Sequence, residues 1–376
     1  MMKQKTYLGG LSPNQFLQRH WQKTPLLIPG ALEPTDWILN LNELIELSQS
    51  PDCSTRLIIQ KGSNYQVAYG PFTKSEIAEL PDKNWTLLVQ GINHVHTGAR
   101  KLLELFSFIP FARLDDIMVS YAAPGGNVGP HYDSYDVFLL QGSGSRKWQV
   151  SGSHSLDLIP NQELRILKSF VPEGQCEVTA GDILYLPPNF SHYGVALEPC
   201  FTYSIGFIAP IFDHVKSEFL HYLDAEFELP GIFQDPTRKA TDQPGLIPED
   251  LLQAVTEQVS RIKWTKNNIL KFTGEFLTQS AANYQSLPPN ILSKKKFLSQ
   301  LSSTSYQIES TVKFLYREQF GFIGGNAFKI PTSSQSIFRQ FANTRLIHGH
   351  AIQPDSFLAE TIFEWLSQGY VRSIKT

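Results

Sequence analysis

Cysteine is scarce in this chain, three in 376 residues, and Cys53, Cys176 and Cys200 lie far apart with no paired spacing. That excludes a disulfide framework or a structural zinc knuckle and fits a reducing compartment, with the thiols acting as small buried hydrophobes. Also lacking is any run of the roughly 18 apolar residues that a membrane span needs. No apolar stretch follows the lysines of MMKQKTYLGGLSPNQF, so a soluble, cytoplasmic chain with no secretory leader and no membrane partner is expected. Charge of one sign is missing too: 32 Lys and Arg balance 35 Asp and Glu for a net −3, which removes any bulk electrostatic case for nucleic acid. Internal repeats and low-complexity tracts are absent. What is there, 41% hydrophobic and 18% charged residues, excludes whole-chain disorder and is ample for a large core and two or three domains.

The texture of the chain changes twice. Up to about residue 110 helix and strand signals mix; Ser12 and Pro13 open a helix carrying Phe16, Leu17, His20 and Trp21, which Pro25 should end. From Asp116 to Phe207 short β runs alternate with turn residues: IMVSYA, YDVFLLQ, KWQV and DILYL, the pattern of a sandwich or barrel. After Pro210 helices are expected, one capped by Asp213 and one with Leu252, Val255, Val259 and Ile262 on a stripe, separated by a Pro- and Gly-bearing stretch from Pro230 to Pro248. Beyond Leu287 ten basic residues face five acidic ones, and the chain closes on an amphipathic helix, FLAETIFEWLSQGY, with a strand-like tail.

Chemistry concentrates in Gly129-Pro130-His131-Tyr132-Asp133-Ser134-Tyr135-Asp136. In a strand, residues two apart share a face, so His131 and Asp133 suit one metal. Alone the pair says little, because ten histidines and 35 acids in 376 residues give about one such pair by chance. Corroboration comes downstream: Gly181-Asp182-Ile183-Leu184-Tyr185-Leu186-Pro187-Pro188 leads to His192, the way a double-stranded β-helix returns a third ligand across its barrel. Two imidazoles and a carboxylate leave three positions open on iron, the facial-triad arrangement of non-haem iron(II) oxygenases, whereas structural zinc wants a fourth protein ligand. Arg146 then suits the remote carboxylate of 2-oxoglutarate by two parallel hydrogen bonds, with Lys147, adjacent and facing the other way, as the competing candidate. Thr202, Ser204 and Gly206 share a face, and the Ser204 hydroxyl is a further candidate for that carboxylate or else satisfied in the ladder.

The runs DDIMVSYAAPGGNVGPHYDSYDVFLLQGSGSRKWQV, GDILYLPPNFSHYGVAL and FLQRHWQKTPLLIPGAL resemble the bacterial ribosomal-oxygenase group of JmjC-domain proteins. The layout is similar over the whole chain, while the specific motifs all precede about residue 210. The resemblance implies an α+β multidomain protein: a JmjC double-stranded β-helix, a cupin-like jelly roll, over 1–210; a helical dimerisation region over 211–286; and a winged-helix C-terminal domain over 287–376. It implies iron(II) on His131, Asp133 and His192, 2-oxoglutarate on Arg146, and a substrate guanidinium held by Asp116 and Tyr135. The implied reaction uses dioxygen to hydroxylate the Cβ of an arginine in the large-subunit ribosomal L-sixteen protein, releasing succinate and CO2. A homodimer is implied as well, and direct nucleic-acid contact is not expected. The sequence departs from the pattern at Ser145, where a further basic residue is expected in relatives.

Two other readings stay open on the residues. A histidine hydroxylase or an N-methyl demethylase uses the same iron centre, and a cupin-like ribosome- or nucleic-acid-binding protein would have a structural metal or none. His94-Val95-His96 and His348-Gly349-His350 have metal-compatible spacing without an acidic partner in frame. Gly142-Ser143-Gly144 lacks the third glycine of a dinucleotide fingerprint and reads as a hairpin turn. Lys294-Lys295-Lys296 reads as a solvated helix start.

Overall fold

A computed structural model describes residues 7–35, 38–62, 64–152, 155–279 and 293–375. The described chain forms two compact units. One runs to Ala209 and takes in Glu309–Thr311; the other holds the remainder, from Pro210 onwards. The boundary expected at 286/287 lies outside the described residues.

The first unit is built in chain order from α1 (Pro13–Arg19), β1 (Leu26–Ile28), α2 (Leu41–Leu47), β2 (Ser54–Lys61), β3 (Asn64–Tyr69), α3 (Lys74–Ala78), β4 (Trp85–Gln90), α4 (Ile92–Val95), α5 (Thr97–Glu104), β5 (Leu114–Ala122), β6 (His131–Tyr132), β7 (Val137–Ser143), β8 (Arg146–Ser151), β9 (Gly174–Val178), β10 (Ile183–Leu186), β11 (Ser191–Ala196) and β12 (Cys200–Phe207). The strands make an eight-stranded sheet, β1-β10-β7-β12-β5-β4-β2-β3, and a four-stranded sheet, β6-β11-β8-β9. Period-two alternation sorts the large sheet's side chains. Leu87, Ile117, Val119, Phe138, Leu140, Tyr203 and Ile205 go to one face, where they join Phe16, Leu44 and Phe106 in the main core. Intervening residues, among them Leu88, Met118, Ser120, Leu139, Thr202 and Ser204, line a cavity on the other face. Beside that cavity a smaller cluster, Val137, Leu139, Trp148, Val178, Leu184 and Leu186, draws on both sheets. Strand β7 therefore reads as an unbroken run, VFLLQ, because both its faces are buried.

Local chemistry explains the helix ends. Ser12 and Gln15 form a capping box with Pro13 in the first turn, as expected, but α1 stops at Arg19, well before Pro25. Tertiary contacts decide this. Gln22 takes a left-handed φ of +57°, its N–H donates to the Tyr185 hydroxyl at 2.8 Å, and its amide donates to Asp136 at 3.0 Å. Gly142 and Ser143 are not a hairpin turn but the end of β7, and Gly144 with Ser145 carries the chain from β7 in one sheet to β8 in the other. Gly144 has φ +62°, and a Cβ there would meet the Pro199 carbonyl, so the corner needs glycine.

The second unit contains α6 (Phe212–Glu226), α7 (Glu249–Val259), α8 (Lys266–Thr278), α9 (Lys294–Gln300), β13 (Thr304–Ile308), β14 (Phe314–Arg317), β15 (Phe320–Ile323), β16 (Asn326–Lys329), α10 (Gln335–Thr344), β17 (Leu346–His348), α11 (Phe357–Ser367) and β18 (Val371–Lys375). Its strands form the sheets β17-β13-β18 and β14-β15-β16 around a core that includes Phe338, Ile362 and Trp365. Ile211 occupies the N-cap position of α6 and Asp213 lies inside its first turn, so Asp213 is not the cap. Helix α7 ends at Val259, short of Ile262, and has no fully buried residue, with Leu251, Ala254 and Gln258 half-buried. Lys294, Lys295 and Lys296 are solvated at the start of α9, as expected, with Lys294 paired to Glu360 at 3.2 Å.

Candidate metal and co-substrate site

His131 and His192 face each other across the β6–β11 ladder, in direct register, with ring centroids 4.2 Å apart. Asp133 is the first residue after β6's Tyr132 rather than a strand residue, yet its carboxylate completes the set. One ligand atom from each of His131, Asp133 and His192 lies within 4.8 Å of the others, and Asp133 Oδ2 is 3.8 Å from His192 Nε2. A backbone bond holds the two segments together: the Asn189 N–H donates to the Asp133 carbonyl at 2.7 Å, with Asn189 at φ +64°.

The ring orientations are fixed by carbonyls. His131 Nδ1 lies 3.0 Å from the Gly129 carbonyl and His192 Nδ1 lies 3.0 Å from that of Phe190. A carbonyl only accepts, so each Nδ1 is the donor, and the neutral ring then has its Nε2 lone pair for a metal. His192 is buried, and burial together with neighbouring His131 pushes it down to about 4, against the opposing pull of Asp133. At neutral pH it is the uncharged form that a metal needs. Among the described residues no other group of histidine, cysteine and acidic side chains has this geometry. The pairs His94/His96 and His348/His350 form no such group, although the last two rings stack at 5.5 Å.

Arg146, on β8, is 5% exposed in the same cavity of about 400 Å³. Its guanidinium stacks on Trp148 at 5.5 Å and donates to Cys200 Sγ at 3.7 Å, while Nε has no hydrogen-bond partner. A buried cation with an unused donor is costly, and a carboxylate answers both the charge and the donor. Ser204 lines the cavity in the same row as Thr202, two residues on, and Thr202 is already engaged, donating to Gln141 Oε1 at 2.9 Å. Asp116 and Tyr135 also line the cavity. Burial and the carboxylates of Asp133, Asp116 and Asp115 push the Tyr135 hydroxyl up, with Arg56 opposing, so it stays neutral.

Sequence reasoning missed several lining residues. Arg56 stands in β2 two residues from Ile58 on the cavity face, in a row with Ser54 and Gln60 whose polar character gave no signal. Arg165 donates to the Tyr132 hydroxyl at 3.1 Å and stacks on its ring at 5.1 Å, but it comes from an irregular segment with no periodicity to read. Trp148 was likewise unremarked.

Comparison with known proteins bears directly on this geometry. A JmjC domain model matches residues 101–215. The ribosomal protein uL16 3-hydroxylase of Escherichia coli strain K12 is 34% identical over 276 residues, 73% of either chain. The chain belongs to the ribosomal oxygenases of the JmjC family. A second member, a probable ribosomal oxygenase of Haemophilus influenzae, is 38% identical over 58% of this chain and 57% of its own. The crystal structure of E. coli YcfD superposes with a TM-score of 0.84 at 27% identity, covering 98% of this chain and all of YcfD. YcfD, a ribosomal oxygenase, has also been solved with cobalt and 2-oxoglutarate; that structure gives a TM-score of 0.79 at 28% identity over 96% of this chain and 98% of its own. In this JmjC protein the matched segment contains the His-Asp-His set and Arg146, while Arg56, Ile58, Thr86, Leu88 and Gln90 of the cavity lining precede it.

Proposed function

We propose that this chain is an iron(II)- and 2-oxoglutarate-dependent hydroxylase of ribosomal protein uL16, acting on the Cβ of an arginine. One observation carries the reading: two imidazoles with free Nε2 atoms and a carboxylate converge in the cavity that also holds a buried arginine with an unused donor. The donor set fits a metal with open positions. His131, Asp133 and His192 hold the iron, and Arg146, with Ser204 lining the same cavity, holds the remote carboxylate of 2-oxoglutarate. When bound, iron(II), 2-oxoglutarate and dioxygen supply the oxidation: the 2-oxo acid goes to succinate and CO2 and one oxygen atom goes to the substrate carbon. The protein's part is placement and exclusion of water. Asp116 offers a guanidinium a bidentate partner, and the neutral Tyr135 hydroxyl orients it. The uL16 substrate is carried from the E. coli relative's name.

In this reading the chain divides into an oxygenase domain over 1–210, a dimerisation region over 211–286 and a winged-helix domain over 287–376. The protein is a cytoplasmic homodimer, without need of direct nucleic-acid contact. What supports the dimer is α7, which has no fully buried residue while Leu252, Val255 and Val259 form an exposed apolar stripe, next in sequence to exposed Leu246, Ile247 and Trp264.

Anaerobic loading with iron(II) and 2-oxoglutarate, then oxygen and a panel of arginine- and histidine-bearing uL16 peptides, tests the reading by mass spectrometry. Gain of one oxygen on an arginine with matching succinate is expected. Gain on histidine would overturn the roles of Asp116 and Tyr135, and no succinate from an iron-loaded sample would overturn the enzyme.

A further inference from the structure

We infer that Asn127 is a positioning residue for the metal site, setting the His131 imidazole through the Gly129 peptide. This rests on the reading of His131, Asp133 and His192 as metal ligands. Asn127 lies in the loop between β5 and β6 and is 2% exposed. Its carboxamide offers two N–H donors and two lone pairs, and all four are used. Oδ1 accepts from the Tyr65 hydroxyl at 2.7 Å and from the Gly129 N–H at 3.0 Å. Nδ2 donates to Gln60 Oε1 at 2.6 Å and to the Gly125 carbonyl at 2.9 Å.

The chain of contacts then reaches the metal site in one step, because the Gly129 carbonyl accepts from His131 Nδ1 at 3.0 Å. Gly129 has φ +79°, and a Cβ there would press on Ile166 at 3.2 Å, so this residue has no side chain of its own to hold it. Its orientation is set at its two ends: the N–H on Asn127, and the next carbonyl, that of Pro130, on the Leu167 N–H at 2.9 Å. The other anchors of the amide are firm. Gln60 and Tyr65 are direct cross-strand partners in the β2–β3 ladder, so the hub is clamped by a hairpin and not by another loop. Tyr65 also interacts with Tyr193, the residue after His192, which links the hub to the strand of the second histidine.

A merely structural Asn127 would change stability alone; a positioning residue changes metal affinity. Cobalt(II) titration of the full chain, followed by visible absorption, reads the difference. Asn127→Ala is expected to weaken cobalt binding about 10- to 100-fold and alter the absorption spectrum. Tyr65→Phe, which removes one of the two bonds to Oδ1, is expected to fall between it and the unaltered chain, and it keeps the test open if Asn127→Ala does not fold. Tyr185→Phe loses its bonds to Asp136 and Gln22 in the main core and serves as the control, destabilised with cobalt binding intact. Unchanged cobalt affinity and spectrum in folded Asn127→Ala, or in Tyr65→Phe where the first is unfolded, would overturn the inference. An unaltered chain that takes up no cobalt would instead overturn the triad reading on which it rests.

Discussion

Arg146 and His192 are each kept in a state that costs the empty protein something. The guanidinium of Arg146 is buried over Trp148 with Nε unpartnered. Arg146→Met should raise the KM for 2-oxoglutarate about 10- to 100-fold, the equivalent of the roughly 1.5–3 kcal/mol of a charged hydrogen bond. The same change removes a buried cation held by the Trp148 ring and the Cys200 thiol with Nε unpartnered, so the metal-free melting temperature should hold or rise. Calorimetry beside a KM measurement checks both; a lowered melting temperature with unchanged KM would make Arg146 structural. His192 titrates near 4 in the fold against about 6.5 unfolded. Between those values the unfolded chain carries a proton that the folded chain refuses, so metal-free stability falls as pH drops from about 6.5 to about 4. His192→Gln should flatten that part of the stability profile, measured by chemical denaturation across the range.

At the scale of elements, β8 and β11 carry the site as a unit. Gly194 on β11 pairs with Trp148 on β8, and a Cβ at Gly194 would sit 2.4–2.7 Å from the indole. Gly194→Ala must displace the Trp148 indole, which lies 5.8 Å from the His192 ring and stacks under the Arg146 guanidinium. The expected result is a loss of about 1–3 kcal/mol of stability from overpacking with a raised KM for 2-oxoglutarate; unfolding curves and kinetics report it. Much of this arrangement was legible beforehand. His131, Asp133, His192 and Arg146 stand out because turn residues punctuate a run of short strands, and alternation placed Thr202, Ser204 and Gly206 on one face. What was not legible depends on which strands pair. Nothing in Gly142-Ser143-Gly144 says that the chain changes sheets there, and the early end of α1 depends on Asp136 and Tyr185, more than a hundred residues away. Arg165 sits in a segment with no period at all.

For the whole molecule, the exposed stripe of α7 is the feature that a lone chain explains least well. If a second copy covers it, sedimentation should give a dimer, and Val255→Asp should shift the chain to monomer with the oxygenase cavity intact, since Val255 belongs to the other compact unit. A monomer in the unaltered chain at micromolar concentration would contradict the dimer and leave the catalytic reading untouched.

The most direct test of the central claim is a crystal structure grown without oxygen in the presence of manganese(II) and 2-oxoglutarate. The account predicts one metal on the Nε2 atoms of His131 and His192 and a carboxylate oxygen of Asp133, with the remote carboxylate of 2-oxoglutarate on the Arg146 guanidinium. Metal on other residues, or the co-substrate's carboxylate seated on Arg56 with Arg146 still unpartnered, would contradict it.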